Sequence, residues 1–295
     1  MKSGYVSIVG RPNVGKSTLL NCILETHLAI TSNKAGTTRN IIEGIYEDSD
    51  SQIIFVDTPG IHKPINKLGN ILNKKAYSTS ENVDLILFLV DIEAGIGKGD
   101  MFVLEKLKEE NLPIILVLNK VDRVNKDKLL ELIMKYKDLY DFSEIFPISA
   151  LKNDNVNALV KTIKKYLPNE GKIFESDMFT NISTNFYISE IIREKVLRKT
   201  REEVPHSVTC VVEKRIDNKD KEIIQACIIV DRESIKKIIV GKNASMLKSI
   251  GMQARIDLEE YFGKKVYLEL FVKVIKNWRE KEKYLKELGL DDLEN

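Results

Sequence analysis

At 295 residues and 43% hydrophobic content, the chain is long enough for two domains of ordinary size and apolar enough to fill a core in each. Its 46 Lys+Arg against 44 Asp+Glu leave a net charge of +2, so no whole-molecule field marks it as a polyanion binder. It has no run of 18 apolar residues and no charged-then-apolar leader, which predicts a soluble, cytoplasmic protein. Cys22, Cys210 and Cys227 have no C-x-x-C spacing and the three histidines are scattered, so neither a disulfide framework nor a zinc site is indicated.

In chain order, apolar runs at residues 6–9, 53–56, 85–90, 114–118 and 145–148 predict buried strands, with helix-like segments such as 100–110 and 126–140 between most of them. That alternation predicts an α/β doubly wound, mostly parallel sheet with ligands at the carboxyl ends of its strands. Residues 41–48 differ. They meet the strand from Ile53 across "DSDS" and predict an antiparallel pair at the sheet edge.

The first strand runs into "GRPNVGKS", that is Gly10, Arg11, Pro12, Asn13, Val14, Gly15, Lys16 and Ser17, with Thr18 next in the helix that follows. This is a phosphate-binding loop in its required strand-to-helix context. Its glycines let backbone N–H groups converge on phosphate oxygens, the helix N-terminus adds its dipole, Lys16 supplies a point charge and Ser17 a hydroxyl for Mg²⁺. "DTPG" (Asp57, Thr58, Pro59, Gly60) ends the next buried strand, where an aspartate can reach the magnesium shell and a glycine N–H the γ-phosphate; such a tetrapeptide is also an ordinary turn.

"NKVD" supplies Asn119, Lys120 and Asp122 after the 114–118 strand. The Asp122 carboxylate can accept from both N1–H and the exocyclic amine of guanine, a pattern adenine lacks, and an unmatched buried polar pair makes such discrimination large. "SAL" (Ser149, Ala150, Leu151) suits backbone contact to guanine O6, and "AGTTR" at residues 35–39 places a threonine where it can complete the Mg²⁺ sphere. All five segments are expected at carboxyl ends of strands.

A polar stretch, "LPNEGKIFESDMFTNIST", predicts a linker at residues 169–183 between a nucleotide-binding domain at 1–168 and a second domain at 184–295. The second domain reads as helix (about 186–200), strands near 208–215 and 223–230, two helices flanking "IIVGKNASMLKSIG", a strand at 266–274 and a charged helix from about 276 to 288. Residues 232–281 hold 12 Lys+Arg and 6 Asp+Glu, an excess of 12 − 6 = +6, whereas residues 1–171 hold 22 of each. A basic surface confined to one domain fits a polyanion-binding module.

The five motifs resemble the translation-factor-related branch of small GTPases. The second domain resembles a type II KH domain, which clamps single-stranded nucleic acid between a G-x-x-G loop and an apolar groove. Together they resemble the Era-type GTPase family over nearly the whole chain, through "TTR", "DTPG", "REEVPHSV", "IIVGKNASMLKSIG", "ARIDLEEYFGKKVYLELFVKV" and "NWR". The resemblance implies GTP/GDP and Mg²⁺ as ligands. Ser17, Asp57 and Thr38 would hold the metal, with Thr37 as the alternative, and Asn13 stands where relatives associate K⁺ with the phosphates.

Lys16, Thr38 and Gly60 are the implied catalytic groups. Ile61 replaces the water-orienting glutamine of Ras-like enzymes, so intrinsic hydrolysis should be slow. The resemblance also implies a monomer that binds the 3′ end of 16S ribosomal RNA during small-subunit assembly, sometimes with peripheral membrane association. The RNA contacts it implies are Ile239, Gly241, Lys242, Asn243, Ala244 and Lys248, joined by Trp278 and Arg279; for Ile239 the core is the favoured reading, since an amphipathic helix must bury its stripe, and for Trp278 edge packing is the alternative. Ala244 departs from the family's second loop glycine and is tolerable provided its φ stays negative.

Overall fold

The structure, a computed structural model, describes residues 1–34, 36–61, 67–78, 83–175 and 178–287. Ala35 of "AGTTR", Ser176 and Asp177 of the expected linker and the expected helix end at residue 288 lie outside the described residues. The chain forms two compact units, the second made mainly of the residues from Ile182 onward.

The first unit contains β1 (Lys2–Val9), α1 (Lys16–Leu24), β2 (Ile42–Glu47), β3 (Ser51–Asp57), α2 (Lys67–Ser78), β4 (Leu85–Asp91), α3 (Lys98–Leu107), β5 (Ile114–Asn119), α4 (Lys126–Lys137), β6 (Glu144–Ile148) and α5 (Val156–Ile163). Its strands order as β2-β3-β1-β4-β5-β6. Every residue of β3, β4 and β5 is buried, because helices cover both faces and leave no side for a polar alternation. On one face Ile86, Phe88, Val90, Leu116 and Leu118 pack with Val103, Leu104 and Leu107 of α3 and Leu132 and Tyr136 of α4. Each fully buried side chain of this size contributes about 1.5–3 kcal/mol.

β2 is the antiparallel edge strand, with Ile42 opposite Asp57 and Glu47 opposite Gln52. It approaches α1 so closely that a Cβ on Gly44 would lie 2.4 Å from Leu24 Cδ1. Its outer edge is taken up by the stretch expected as a linker. Ile45 N donates to Phe179 O at 3.0 Å, the Thr180 hydroxyl to Glu43 O at 2.7 Å, and the Gln52 side chain holds the backbone of Ile173 and Phe174. This pairing satisfies backbone groups that an open edge would expose.

The second unit contains α6 (Thr184–Lys199), β7 (Val208–Asp217), β8 (Lys221–Val230), α7 (Glu233–Val240), α8 (Ser245–Phe262), β9 (Lys265–Val274) and α9 (Glu282–Glu287). β7 and β8 are antiparallel, whereas β8 and β9 are parallel. A parallel neighbour requires a crossover, and α7 and α8 form it, so "GKNA" is the joint inside that crossover. α6 is buried along its middle rather than on one stripe. Its charges are matched there: Arg193 donates to both oxygens of Glu190 at 2.7 and 2.6 Å, and Glu194 receives Lys195 at 2.9 Å and Arg198 at 2.8 Å.

The expected charged helix from 276 does not begin there. Asn277 takes φ 54°, a short turn at Trp278–Glu280 intervenes, and α9 starts only at Glu282. The turn is fixed by Trp278, which is fully buried with its indole N–H donating to Ser207 O at 3.0 Å.

Candidate nucleotide site and candidate nucleic-acid interface

In the first unit, the loops after β1, β3, β5 and β6 gather at one edge of the sheet because those four strands run parallel. Residues 36–40 reach the same edge differently. They precede β2, and because β2 is antiparallel its start, not its carboxyl end, lies at that edge. The expectation that every motif follows a strand is corrected on this point.

The loop at 10–17 is shaped by close approaches. Gly15 caps α1 with φ 104°, a conformation open to glycine, and a Cβ there would sit 2.3 Å from Asn119 Nδ2. Lys16 is buried and folds back to donate to Gly10 O at 3.0 Å and Arg11 O at 3.2 Å. Burial lowers its pKa to about 8, partly opposed by the charge of Asp57. The Ser17 hydroxyl donates to Asp57 Oδ2 at 2.7 Å and lies 3.0 Å from Thr38 Oγ1, which is 3.4 Å from the same carboxylate oxygen. Asp57 is fully buried, its pKa is raised by that burial, and its Oδ1 has no hydrogen-bond partner among the described residues. A converging set of hard oxygens with one carboxylate atom unused suits Mg²⁺, which takes few protein ligands beside phosphate oxygens.

Other motif residues prove to be scaffold. Asn119 Nδ2 donates to Val14 O at 2.8 Å while its Oδ1 accepts from Ala150 N at 3.0 Å, tying three motifs together. Lys120 donates to Asn13 O at 3.1 Å and to Asp91 at 2.6 Å. The Thr58 hydroxyl is buried and donates to Ile8 O at 2.9 Å; Pro59 is buried, and a Cβ on Gly60 would lie 2.8 Å from Pro12 Cα. Asp122 is exposed, with Ser149 Oγ donating to it at 2.6 Å. Asn13, with φ 67°, and Leu151 are exposed, and Thr18 is half-buried. Ile61 is 1% exposed and belongs to the core cluster of α3 and α4, anchored by its N–H to Gly10 O at 3.3 Å.

Two supporting acids escape motif reading. Arg11 Nε donates to Asp100 Oδ1 at 2.9 Å, and Asp100, 1% exposed, also accepts from Gly97 N at the start of α3. Asp91 ends β4 as Asp57 ends β3, and that parallel position was the one sequence signal for it.

In the second unit, Gly241 closes α7 with φ 71° and ψ 174°, a region open essentially to glycine, and a Cβ would lie 2.8 Å from Met246 Cβ. Lys242 and Asn243 form the exposed tip, and Lys248 is exposed on α8. Ala244 takes φ 59°, after Asn243 at φ 52°, so the condition of a negative φ is not met. A left-handed alanine costs about 1–2 kcal/mol. It is held because Ala244 is the cap from which α8 departs.

Two expected RNA contacts are also corrected. Ile239 and Trp278 are fully buried, so the first fills the core under α7 and the second cannot stack on a base. The tryptophan lacked any local signal separating platform from plug. Arg279 is ion-paired with Asp231 at 2.8 Å, and Ile238, 46% exposed, is the apolar side chain of α7 left in solvent beside the loop.

Comparison with known proteins gives the same two-part division. Residues 5–120 match a family described as 50S ribosome-binding GTPase, and residues 203–279 match the KH domain. The GTPase Era of Clostridium kluyveri is 49% identical over 290 residues, covering 98% of this chain and 99% of that protein. A crystal structure of Era in complex with MgGDPNP and nucleotides 1506–1542 of 16S ribosomal RNA is similar with a TM-score of 0.96 and 43% identity, covering 98% of this chain and 99% of that one. An Aquifex aeolicus Era variant bound to GDP·AlF4⁻ is similar with a TM-score of 0.95 and 42% identity over the same shares.

Proposed function

The chain belongs to the Era family of GTPases, and from that premise we propose that it is a GTP-hydrolysing switch whose second unit grips the 3′ end of 16S ribosomal RNA during assembly of the small ribosomal subunit. The observation that carries the reading is the convergence of Lys16, Ser17, Thr38 and Asp57, from three separate segments, into one partly buried cluster.

In this reading Ser17, Thr38 and Asp57 hold Mg²⁺, which when bound neutralises charge on the phosphate oxygens. Lys16, buried and held by the Gly10 and Arg11 carbonyls, would offer its charge to the phosphates. The backbone amide of Gly60 meets the γ-phosphate, and Asp122 reads guanine while Ser149 orients its carboxylate. No side chain of Ile61 reaches the attacking water, since it is packed in the core, so hydrolysis is slow without help. Asn13, exposed at the loop tip, is the residue toward which a K⁺ would be drawn.

Single-turnover GTP hydrolysis in Na⁺ and in K⁺, each with and without the 16S fragment, tests this. A faster rate with K⁺ or RNA is expected, and equal rates throughout would sink the dependence on a cation or partner. For the RNA half, Gly241, Lys242, Asn243, Ala244 and Lys248 are the proposed contacts, with Lys242 and loop amides on phosphate. We read the protein as a cytoplasmic monomer with a peripheral membrane fraction, which sedimentation and cell fractionation test. Among the described residues no helix is long and apolar enough to cross a membrane.

A further inference from the structure

The second unit's sheet has a face that is open over part of its length: Cys227, Ile229 and Thr209 on it are buried, whereas the other end is exposed. Along β9 the even-numbered side chains turn toward the helices: Val266 is buried and Leu270 lies against Gly251 of α8. By the period of two, Lys265, Tyr267, Phe271 and Lys273 turn the other way. Tyr267 is 60% exposed and Phe271 44%. Their register partners on β8 are Ile223 and Cys227, and Ile216 of β7, opposite Ile223, is 37% exposed. A solvated sheet face ordinarily alternates to polar residues, and these aromatics add nothing to the core on the far side.

Charge narrows the occupant. Lys214, Lys221, Lys265 and Lys273 belong to this face. Against them stand Glu213, beside Cys227 at the β7 bulge, and Glu269, which accepts from Gln225 at 2.8 Å. A protein-docking face is depleted of lysine at its centre. Here lysines bracket the aromatic pair at both ends of the strand. Tyr267 and Phe271 are four residues apart, about 13 Å at ~3.3 Å per residue, so each can receive its own base.

We propose that this face is a second RNA-binding surface, on which bases of a single strand stack on Tyr267 and Phe271 while lysines meet the phosphates. It is distinct from the GKNA loop in the crossover between α7 and α8. The proposal rests on the reading of the second unit as an RNA binder, and it extends that contact around the edge strand β9 to the back of the sheet. Stacking on an aromatic tolerates any base, so this surface adds affinity and length rather than sequence choice.

The test uses the full chain with two unstructured RNAs, one of about four nucleotides, the length a KH clamp holds, and one of about 20. Replacing both Tyr267→Ala and Phe271→Ala, with melting temperature as the folding control, should weaken the longer RNA by about tenfold or more and leave the shorter unchanged. Tyr267→Phe should retain binding. Lys265→Ala with Lys273→Ala should flatten the salt dependence for the longer RNA by a slope of about 1.4. Wild-type affinity of the double aromatic variant for the longer RNA overturns the proposal, as does equal loss of both RNAs. If the face instead docks a protein, the first of these is seen. Failure of the clamp reading is separate: Lys242→Ala would then leave the short RNA unaffected.

Discussion

The chain has two loops built on a Gly-Lys pair, and they are held in opposite ways. The loop at 10–17 is clasped from a distance: Asn119 holds the Val14 carbonyl, Lys120 that of Asn13, Asp100 the Arg11 guanidinium, and Gly60 packs on Pro12. The loop at 241–244 is closed by its neighbours alone among the bonds described, with Gly241 N donating to Lys237 O at 2.9 Å and Ala244 N to Gly241 O at 3.2 Å. The first follows a buried strand and must hold amides fixed for a small polyanion. The second joins two helices and leaves its tip exposed, as the proposed grip on a long polyanion needs. Distant clasps give preorganisation; a local turn gives access, with strain that its own residues carry.

The contrast can be broken at its strongest point by Asn119→Ala, which removes two buried hydrogen bonds at once. At about 1–3 kcal/mol for each group left unsatisfied, GTP affinity should fall by about a hundredfold or more, measured with a fluorescent nucleotide, while RNA binding by the isolated GKNA contact persists. Next, Asp122→Asn sets a donor against the donors of guanine and should erase most preference for GTP over ATP; unchanged GTP affinity would refute the base assignment.

A smaller effect is expected from Asp100→Ala. It leaves Arg11 without its partner and should cost about 2–3 kcal/mol in denaturant unfolding, with faster nucleotide release and unaltered RNA affinity. The smallest change acts on the other loop. Ala244→Gly relieves a left-handed alanine and should stabilise the chain by about 1 kcal/mol, with RNA affinity kept or raised. By contrast Gly241→Ala should disrupt the loop through backbone and the Met246 contact, with no charge introduced. A chain that tolerates it would show that the loop is not held as described.

Much of the first unit was legible because its chemistry imposes local spacing. A buried strand, a glycine loop and a helix must follow one another within about 15 residues, and each such stretch is readable alone. The antiparallel edge at 42–47 was legible for the same reason, since only three residues separate it from β3. In the second unit the element order was readable and the core was the favoured place for Ile239, yet the choice between platform and plug for Trp278 and the φ of Ala244 were not. An apolar residue beside a loop reads alike whether it faces core or solvent, and a cap conformation depends on where the next helix must go.

The sequence by itself determined that five nucleotide motifs occur in order and that a Gly-Lys joint lies between two helices in a basic domain, because these are properties of neighbours along the chain. Only the tertiary structure decided that Thr38 lies beside Asp57, that Arg11 is held by Asp100 and that Tyr267 and Phe271 share an open face. Those relations join residues 19 and 89 positions apart, or strands whose register is set by packing, and local spacing carries no record of them.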